Sequence, residues 1–424
     1  MKSKKIGNIF KGDKVIWMIF FFLCIISIVE FYSASSSLSY TGGNYWSPLI
    51  KHTSILLLGI GMTIAVMTIQ CKYFKLATPF LLLISFILLC WVLFAGDKTN
   101  DAARWIGLFG LQFQPSELAK GALILAVAQI LSAMQTDNGA DRKAFSYILV
   151  VSAFIILPIA LENLSTAALL IGVCILMMFI GRVPMRQLGR LLGTIALLIV
   201  FALVMIMALG KEESVKDDKQ ILTEQTVTEK KEEKGLVASI FHRANLWKTR
   251  INKFLSHEYV APEKFDLDEN GQVGHANIAI ATSNVVGKGP GNSNERDWLS
   301  QAFSDFIYAI IIEEMGIEGA IVVALMYIFL LFRTGQIANR CENNFPAFLA
   351  MGLALLMVSQ ALFNMLVAVG LAPVTGQPLP LISKGGTSTI INCIYIGVIL
   401  SISRSAKKRE PKTQNVADVA YAVA

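Results

Sequence analysis

Long apolar runs recur along almost the whole chain, and their length restricts its fold more than any other feature. A membrane-spanning helix needs about 20 predominantly apolar residues, and about ten runs approach that length. They lie near residues 15–32, 53–70, 76–95, 118–133, 145–161, 166–180, 191–209, 306–332, 347–371 and 387–402. With a mean hydropathy of +0.59 and only 16% charged residues, the chain is too apolar for a soluble globular protein. The sequence therefore predicts an all-α polytopic membrane protein with about ten transmembrane helices.

Lysine and arginine are concentrated in alternate loops between these runs, which predicts the orientation of the chain. The basic loops and tails hold Lys2, Lys4, Lys5, Lys11, Lys14, Lys72, Lys75, Arg142, Lys143, Arg182, Arg186, Arg190, Arg333, Arg340, Arg404, Lys407, Lys408, Arg409 and Lys412. Because such residues are retained on the cytoplasmic side, both termini are predicted to be cytoplasmic. The same pattern explains the net charge of +7 without any binding of nucleic acid.

The order of the runs divides the chain into segments. We predict a cytoplasmic tail over residues 1–14, transmembrane helices 1–7 over 15–209, a long extracytoplasmic loop over 210–304, helices 8–10 over 305–402 and a cytoplasmic tail over 403–424. In the long loop, residues 211–234 are typical of a solvated stretch, and residues 241–255 favour a helix lying on the membrane surface. The cysteines lie in spans or cytoplasmic loops and the histidines lack ligand spacing, so we predict neither disulfides nor a zinc site.

Carboxylates at the start of the eighth run are unusual, because ionisable groups in a span are costly and indicate a site by default. If the segment from Asp305 onward is helical, Glu313 lies about two turns along on the same side and Glu314 faces away. Carboxylates in different surroundings could divide acid, base and cation-binding work. The alternative is that both glutamates form ion pairs that hold spans together, with Arg104, Lys120 or Lys384.

Polar residues in the predicted outer loops supply further candidates. Arg104 and Trp105 precede a helix start at Pro115, where a cap at Ser116 is an option. Glu117 and Lys120 are three residues apart, so on a helix they share a face and can pair; a purely structural ion pair is the alternative.

Two glycine-rich stretches are predicted to be irregular. Residues 287–293, which read Gly-Lys-Gly-Pro-Gly-Asn-Ser, can bring backbone amides close to a phosphate or sugar, although a flexible turn is the simpler interpretation. Residues 373–388 carry three prolines between two spans, and irregular backbone at that depth is tolerated only where protein or water surrounds it. We therefore predict a cavity wall there, with Lys384 as a candidate anion ligand.

These motifs, taken in order over nearly the whole chain, resemble the SEDS family of shape, elongation, division and sporulation proteins. The resemblance implies a ten-helix, GT-C-like membrane fold and a peptidoglycan glycosyltransferase that joins lipid II at the outer face of the bacterial cytoplasmic membrane. The essential aspartate of the family corresponds to Asp305. The residues expected to bind substrate are Arg104, Trp105, Glu117, Lys120, Lys288, Asn292, Ser293, Lys384 and Ser388.

The form of residues 288–293 is more similar to the division member of the family than to the elongation member, which implies work at the division septum. The expected partners are a class B penicillin-binding protein, which crosslinks the new glycan, and other membrane proteins of the division complex. Several positions depart from the family pattern. Ser300 and Gln301 stand where Pro-Glu is usual. Asn163 and Ser165 occupy the Asp and Gly positions of a Pro-Asp-x-Gly-Thr turn. Ser283 and Asn284 replace Gly-Gly, and Lys384 replaces a tyrosine.

The chemistry of such a transfer suits these residues. A carboxylate such as Asp305 can remove the proton of a sugar hydroxyl, and cations stabilise the departing pyrophosphate. A divalent cation, Mg²⁺ or Mn²⁺, held by Asp305 or a nearby glutamate is an option. Two other functions stay open: a lipid II flippase, and a scaffold that activates the penicillin-binding protein.

Overall fold

The computed structural model describes residues 11–34, 46–95, 97–99, 102–108, 111–209, 267–299 and 302–406. In these ranges the helices are α1 Lys14–Ala34, α2 Trp46–Thr68, α3 Cys71–Ala95, α4 Pro115–Ala133, α5 Arg142–Glu162, α6 Leu164–Ile180, α7 Met185–Leu209, α8 Leu267–Thr282, α9 Ile307–Ala338, α10 Asn344–Ala368 and α11 Thr387–Ser405. A short 3₁₀ helix spans Glu295–Asp297. The predicted solvated stretch at 211–234 and the predicted surface helix at 241–255 lie outside the described residues.

Short antiparallel strands accompany the helices. Strands β1 Asp97–Thr99, β2 Ala102–Leu108 and β3 Leu111–Phe113 form one sheet in that order, between α3 and α4. Strands β4 Gln135–Thr136 and β5 Gly139–Ala140 form a small hairpin between α4 and α5.

Each predicted span coincides with a helix. Among the described helices, α1 to α5 and α9 to α11 are long and apolar enough to cross a membrane. Helix α6 has 17 residues, somewhat fewer than the roughly 20 that a bilayer requires. The chain is therefore a helical polytopic membrane protein, as predicted. Ten as the number of spans stays a prediction, because α6 is short and several side chains of α7 lie outside the described part of the chain.

Contacts between the ends of the described helices place their loops at two ends of the bundle. The Asp305 end holds the last turn of α1, the sheet β1–β3 and the first turns of α4, α9 and α11. The opposite end, called the basic end, holds the first turn of α1 and the last turns of α9 and α11. All described lysines and arginines that we used to predict the orientation lie towards the basic end.

An ion pair ties three helices together at the basic end. Arg333 of α9 donates from Nε to both carboxylate oxygens of Asp13 at 3.0 Å, and Arg333 Nη2 lies 2.8 Å from Asp13 Oδ2. The Asp13 amide donates to Ser403 Oγ of α11 at 2.9 Å. These contacts fix the start of α1 against α9 and α11.

Small and polar residues let α2 and α11 pack closely. Thr63 Oγ1 donates to the Cys393 carbonyl at 2.8 Å, and Gly397 faces the Thr63 carbonyl so closely that an added Cβ would lie 2.9 Å from it. Small residues at helix interfaces allow such approach in membrane proteins, where apolar surface alone does not drive association. Helix α10 lies at the centre and packs on α4, α6, α9 and α11.

Helix α9 is broken at Gly316, although the sequence predicted an uninterrupted span over residues 306–332. Gly316 has φ 70° and ψ −175°, a conformation that favours glycine. A Cβ at this position would overlap the Val285 carbonyl, so the break allows residues 285–287 to lie directly on α9. The helix also begins at Ile307 rather than at Asp305. Apolar content alone cannot reveal a break that depends on a distant loop.

Candidate active site

Asp305 lies on a turn over residues 302–306 that leads into α9, here called the Asp305 turn. Three hydrogen bonds reach its backbone carbonyls from other segments: from Asn364 Nδ2 to Asp305 O at 2.8 Å, from Ser383 Oγ to Ser304 O at 2.6 Å, and from the Lys384 amide to Phe303 O at 2.9 Å. The Asp305 side chain is half-buried and accepts a hydrogen bond from Ser304 Oγ at 3.1 Å. The carboxylate is therefore partly accessible on a well-anchored backbone.

Residues 373–386, here called the proline segment, supply two of those anchors. Most of the segment has no regular structure, and side chains satisfy its backbone instead. Gln360 Nε2 donates to Pro378 O at 3.0 Å, and Asn364 Nδ2 donates to Gln377 O at 2.8 Å. Gln360 and Asn364 are one turn apart on α10, and Asn364 also bonds the Asp305 turn. Irregular backbone is thus tolerated because neighbouring helices bond it.

Lys384, whose amide donates to Phe303 O, also brings a cationic side chain to the Asp305 turn. Its Nζ lies 4.6 Å from the ring centroid of Phe303 and 5.8 Å from that of Phe31, within the range of cation–π attraction. Among the described residues, no carboxylate lies within ion-pair distance of Lys384. Withdrawal of the ammonium from water, and secondarily the charge of Lys51, lower the pKa of Lys384. The group can therefore accept an anion beside the Asp305 turn.

Glu117 and Lys120 form the predicted pair, since Lys120 Nζ lies 2.7 Å from Glu117 Oε1. Both side chains are buried, and Lys120 also donates to Gln360 Oε1 at 2.8 Å. The N-cap is Gln114 without a side-chain cap, so the predicted cap at Ser116 is wrong. The geometry favours the structural interpretation: the pair braces Gln360, which in turn holds the proline segment.

The glycine loop, residues 287–293, binds the two glutamates of α9 with its amides and side chains. Glu313 accepts hydrogen bonds from Lys288 Nζ at 2.6 Å, the Asn294 amide at 3.0 Å and Ser293 Oγ. Glu314 accepts from the Gly291 amide at 2.9 Å and the Ser293 amide at 3.2 Å. The amides that we predicted for a phosphate or sugar thus bind carboxylates of the same chain.

The contacts of Glu313 and Glu314, here called the glutamate pair, differ from both predicted arrangements. Glu313 pairs with Lys288, so the predicted partners Lys120 and Lys384 are wrong. The side chain of the third predicted partner, Arg104, lies outside the described residues. Glu314 does not face away, because both carboxylates are fully buried and bind the same loop. The glutamate pair therefore fastens the glycine loop to the broken helix.

Other predicted residues are distributed unevenly. Asn292 is exposed and donates from Nδ2 to Lys288 O at 3.0 Å. Ser388 is buried in the first turn of α11. Arg104 and Trp105 lie in β2, where Trp105 pairs with Asp97, but their side chains are outside the described part of the chain.

One departure from the family pattern has a structural explanation. Asn163 is the N-cap of α6, and its Oδ1 accepts hydrogen bonds from the Ser165 amide at 3.1 Å and the Thr166 amide at 3.3 Å. Asparagine and aspartate cap helices about equally well, so Asn163 can replace the usual aspartate. Thr166 Oγ1 in turn accepts from Gln377 Nε2 at 2.6 Å, which connects this turn to the proline segment.

Sequence reasoning missed several polar residues at this end. Gln360 and Asn364 stand one turn apart in an apolar run, and Glu30 is a lone acid in the first run; each of these signals is visible in the sequence. His275 Nδ1 of α8 lies 2.6 Å from Glu295 Oε2, and no local sequence pattern predicts this pairing.

The described residues contain no group of three or more histidine, cysteine, aspartate or glutamate side chains that could hold a metal ion. Mg²⁺ often binds through one or two carboxylates and completes its shell with waters and substrate phosphates. Asp305 by itself fits only a site of this type, in which waters and substrate phosphates supply the other ligands.

Comparisons with known proteins agree with this architecture. A family model for FtsW, RodA and SpoVE, described as cell cycle protein, matches residues 13–229 and 230–408. A probable peptidoglycan glycosyltransferase FtsW of Geobacter sp. (strain M18) is 30% identical over 396 residues, covering 92% of this chain and 96% of that protein. A protein of the same description from Halomonas elongata is 27% identical over 399 residues, covering 92% and 90%.

Solved structures share the fold. A chain from a peptidoglycan synthase complex, studied for the coordination of polymerisation and crosslinking, matches with a TM-score of 0.67 and 22% identity over 93% of this chain and 98% of that one. The rod shape determining protein RodA of Thermus thermophilus matches with a TM-score of 0.61 and 20% identity over 94% and 98%. At these identities the likeness concerns the fold alone.

Proposed function

This chain belongs to the FtsW, RodA and SpoVE family of cell cycle proteins, and from that membership we propose that it is a peptidoglycan glycosyltransferase. Its substrate would be lipid II, joined into glycan strands at the outer face of the cytoplasmic membrane during cell division. Undecaprenyl pyrophosphate would be released at each transfer.

The observation that carries the proposal is the setting of Asp305. It is half-buried on a turn that α10 and the proline segment hold by three hydrogen bonds. A general base needs this combination of fixed position and access to substrate. The glutamate pair and Glu117, by contrast, are buried.

In the proposed reaction, Asp305 accepts the proton of the acceptor sugar hydroxyl. At the same time the oxygen of that hydroxyl forms a bond to the anomeric carbon of the donor. The bond from that carbon to the pyrophosphate oxygen breaks, and the lipid pyrophosphate leaves with the electron pair. Lys384 stabilises the growing negative charge from the neighbouring segment. Direct displacement inverts the anomeric centre, so an α-linked donor yields a β-linked glycan.

A divalent cation, Mg²⁺ or Mn²⁺, is part of the proposal as an additional stabiliser of the pyrophosphate. Asp305 is the residue that would hold it, with substrate phosphates as further ligands. Arg104, Trp105 and Asn292 remain candidates for binding the sugar or pyrophosphate.

We place the basic end of the bundle in the cytoplasm and the Asp305 end outside. Arg142, Arg182 and Arg340 lie towards the basic end, and such residues are retained on the cytoplasmic side. Lipid II presented at the outer leaflet would then reach the Asp305 turn directly.

A class B penicillin-binding protein is the proposed partner, together with other membrane proteins of the division complex. A structural relative comes from a peptidoglycan synthase complex. Such a partner would crosslink the glycan that this chain makes.

The test is polymerisation of purified lipid II by the purified full chain, with and without its partner and a chelator, followed by gel separation of glycan strands. We expect glycan from the native chain and none from Asp305→Asn. Full polymerisation by Asp305→Asn would remove Asp305 from the chemistry, and normal division of depleted cells carrying that variant would favour a scaffold.

A lipid II flippase is the second candidate, because broken helices and irregular segments also line transport paths in membrane proteins. The break at Gly316 and the proline segment are the observations that favour it. Movement of labelled lipid II across proteoliposomes without glycan formation would support this function over the first.

A further inference from the structure

Phe31 of α1 and His52 of α2 lie close to Lys384, and the proposed chemistry gives neither of them a role. Lys384 Nζ lies 4.6 Å from the ring centroid of Phe303 and 5.8 Å from that of Phe31. The two rings meet edge to face, with centroids 6.5 Å apart. Aromatic rings attract a cation without neutralising it. Both rings therefore restrict where the ammonium lies and leave its charge available to an anion.

The Phe31 ring is itself fixed by a second aromatic group. It is fully buried and stacks on the His52 imidazole, with ring centroids 4.2 Å apart and an angle of 24° between the planes. His52 is buried as well, so the stack joins α1 to α2 inside the bundle. Side chains in a close-packed interior have little room to move. The fold therefore sets the position of the Phe31 ring.

A chain of hydrogen bonds runs from His52 to the backbone of the proline segment. Ser27 Oγ lies 3.0 Å from His52 Nε2 and 2.8 Å from the carbonyl oxygen of Ile382. A hydroxyl has one proton and a carbonyl can only accept, so Ser27 donates to Ile382. The bond between Ser27 and His52 then requires a proton on Nε2. Because Ile382 lies two residues before Lys384, α1 and α2 together fix the backbone that leads to the cation.

Leu381 shows that this backbone is held against its own preference. Its φ is 69°, in the left-handed region that a bulky side chain rarely adopts. Such a conformation persists only where the surrounding contacts determine it. Besides the bond from Ser27, the turn is held by Ser383 Oγ, which accepts from the Leu379 amide at 2.8 Å. Loss of the Ser27 bond would let the turn relax and would displace Lys384.

We propose that Ser27, Phe31 and His52, together called the lysine seat, are positioning residues that hold Lys384 in place for the anion that it binds. The anion is the pyrophosphate of the lipid-linked donor, so this inference rests on the proposed function. The lysine seat contacts the side chain or the neighbouring backbone of Lys384 and acts through it. Helices α1 and α2 thereby take part in the active site, although they lie far from Asp305 in the chain.

The experiment measures binding of lipid II to the purified full chain in the Asp305→Asn background, where no reaction consumes the ligand. Phe31→Leu removes the ring and keeps apolar bulk, and Lys384→Met removes the cation. Each should weaken binding by about twofold to fivefold, the range of one cation–π contact. Because the ring acts through the ammonium, the double variant should bind no more weakly than Lys384→Met alone.

Phe20→Leu is the matched control. Phe20 is an equally buried ring of α1 that packs on Trp17 and Phe21, towards the basic end. This variant should leave lipid II binding unchanged, and an equal loss from it overturns the proposal. Losses from Phe31→Leu and Lys384→Met that add in the double variant also overturn it, as does unweakened binding by Phe31→Leu.

His52 supplies a second comparison that does not depend on the folding of Phe31→Leu. His52→Gln can place an amide N–H where Nε2 lies, whereas His52→Leu cannot. Both variants remove the stacked ring, so the difference between them measures the bond to Ser27. His52→Leu should bind lipid II about twofold to tenfold more weakly than His52→Gln, the range of one neutral hydrogen bond. Equal binding by the two variants overturns the proposal.

Glycan formation, measured with Asp305 restored, separates this inference from the proposed function. Lipid II that binds with the expected coupling of Phe31 and Lys384 but yields no glycan contradicts the proposed glycosyltransferase and supports the lysine seat. Glycan formation combined with additive losses from Phe31→Leu and Lys384→Met supports the proposed glycosyltransferase and overturns the lysine seat.

Discussion

The Asp305 turn and the glutamate pair are separated by fewer than ten residues on one segment, yet their carboxylates have different surroundings. Asp305 is half-buried, and its turn is held through backbone carbonyls. Glu313 and Glu314 are fully buried, and their carboxylates themselves are the acceptors of the glycine loop. The comparison teaches that acids near a membrane span take different roles according to the donors around their side chains.

The largest expected effect comes from removing a carboxylate of the glutamate pair. Glu313→Ala leaves Lys288 and the loop amides without their acceptor, and breaking a buried pair in this way lowers the free energy of unfolding by about 3–5 kcal/mol. Chemical or thermal unfolding of the purified chain measures it. Asp305→Asn is the matched control and should change stability by less than about 1 kcal/mol. Equal destabilisation by both variants would erase the distinction between the two regions.

The buried pair of Glu117 and Lys120 sharpens the comparison, because it holds no loop directly. Lys120→Met leaves a buried, uncompensated carboxylate and should destabilise the chain by about 3 kcal/mol. Adding Glu117→Met should restore most of that loss, since a well-packed apolar pair can replace a buried ion pair. A double variant as unstable as the sum of both single variants would show that the two residues do not act as a pair.

The break at Gly316 tests whether the glycine loop depends on backbone shape as well as on the glutamates. Gly316→Ala introduces a side chain at φ 70° against the Val285 carbonyl and should cost about 1–3 kcal/mol of stability. Gly335→Ala, on the same helix with open space around the added Cβ, should be stabilising by up to about 1 kcal/mol. Unfolding midpoints of both variants measure the difference, and a neutral Gly316→Ala would mean that the break is not required.

The smallest effect is expected at Lys384, beside the Asp305 turn. Because the pKa of Lys384 is lowered, its charge is lost at lower pH than that of an ordinary lysine, whereas arginine keeps its charge. The KM for lipid II should therefore rise with pH in the native chain and less in Lys384→Arg, by about fivefold at most, since a partly exposed charge contributes about 1 kcal/mol or less. A Lys384→Met chain with the native KM at every pH would remove Lys384 from binding.

Much of the site could be predicted from sequence where the signal is local. The pairing of Glu117 and Lys120 follows from their spacing on a helix, and the unusual position of Asp305 follows from an acid at the start of an apolar run. The partners of the glutamate pair could not be predicted. Lys288 and Ser33 lie 25 and 281 residues from the glutamates that they bind, and no helical or strand period connects such positions.

The sequence by itself determined the class of the protein, because runs of this length and apolarity are those of membrane-spanning helices that pack as a bundle. It also indicated, through its motifs, which family to expect. Only the tertiary structure decided which carboxylates are satisfied, where α9 breaks and which side chains hold the Asp305 turn. Those properties depend on contacts between segments that are distant in the chain, whereas spans depend on the residues within one segment.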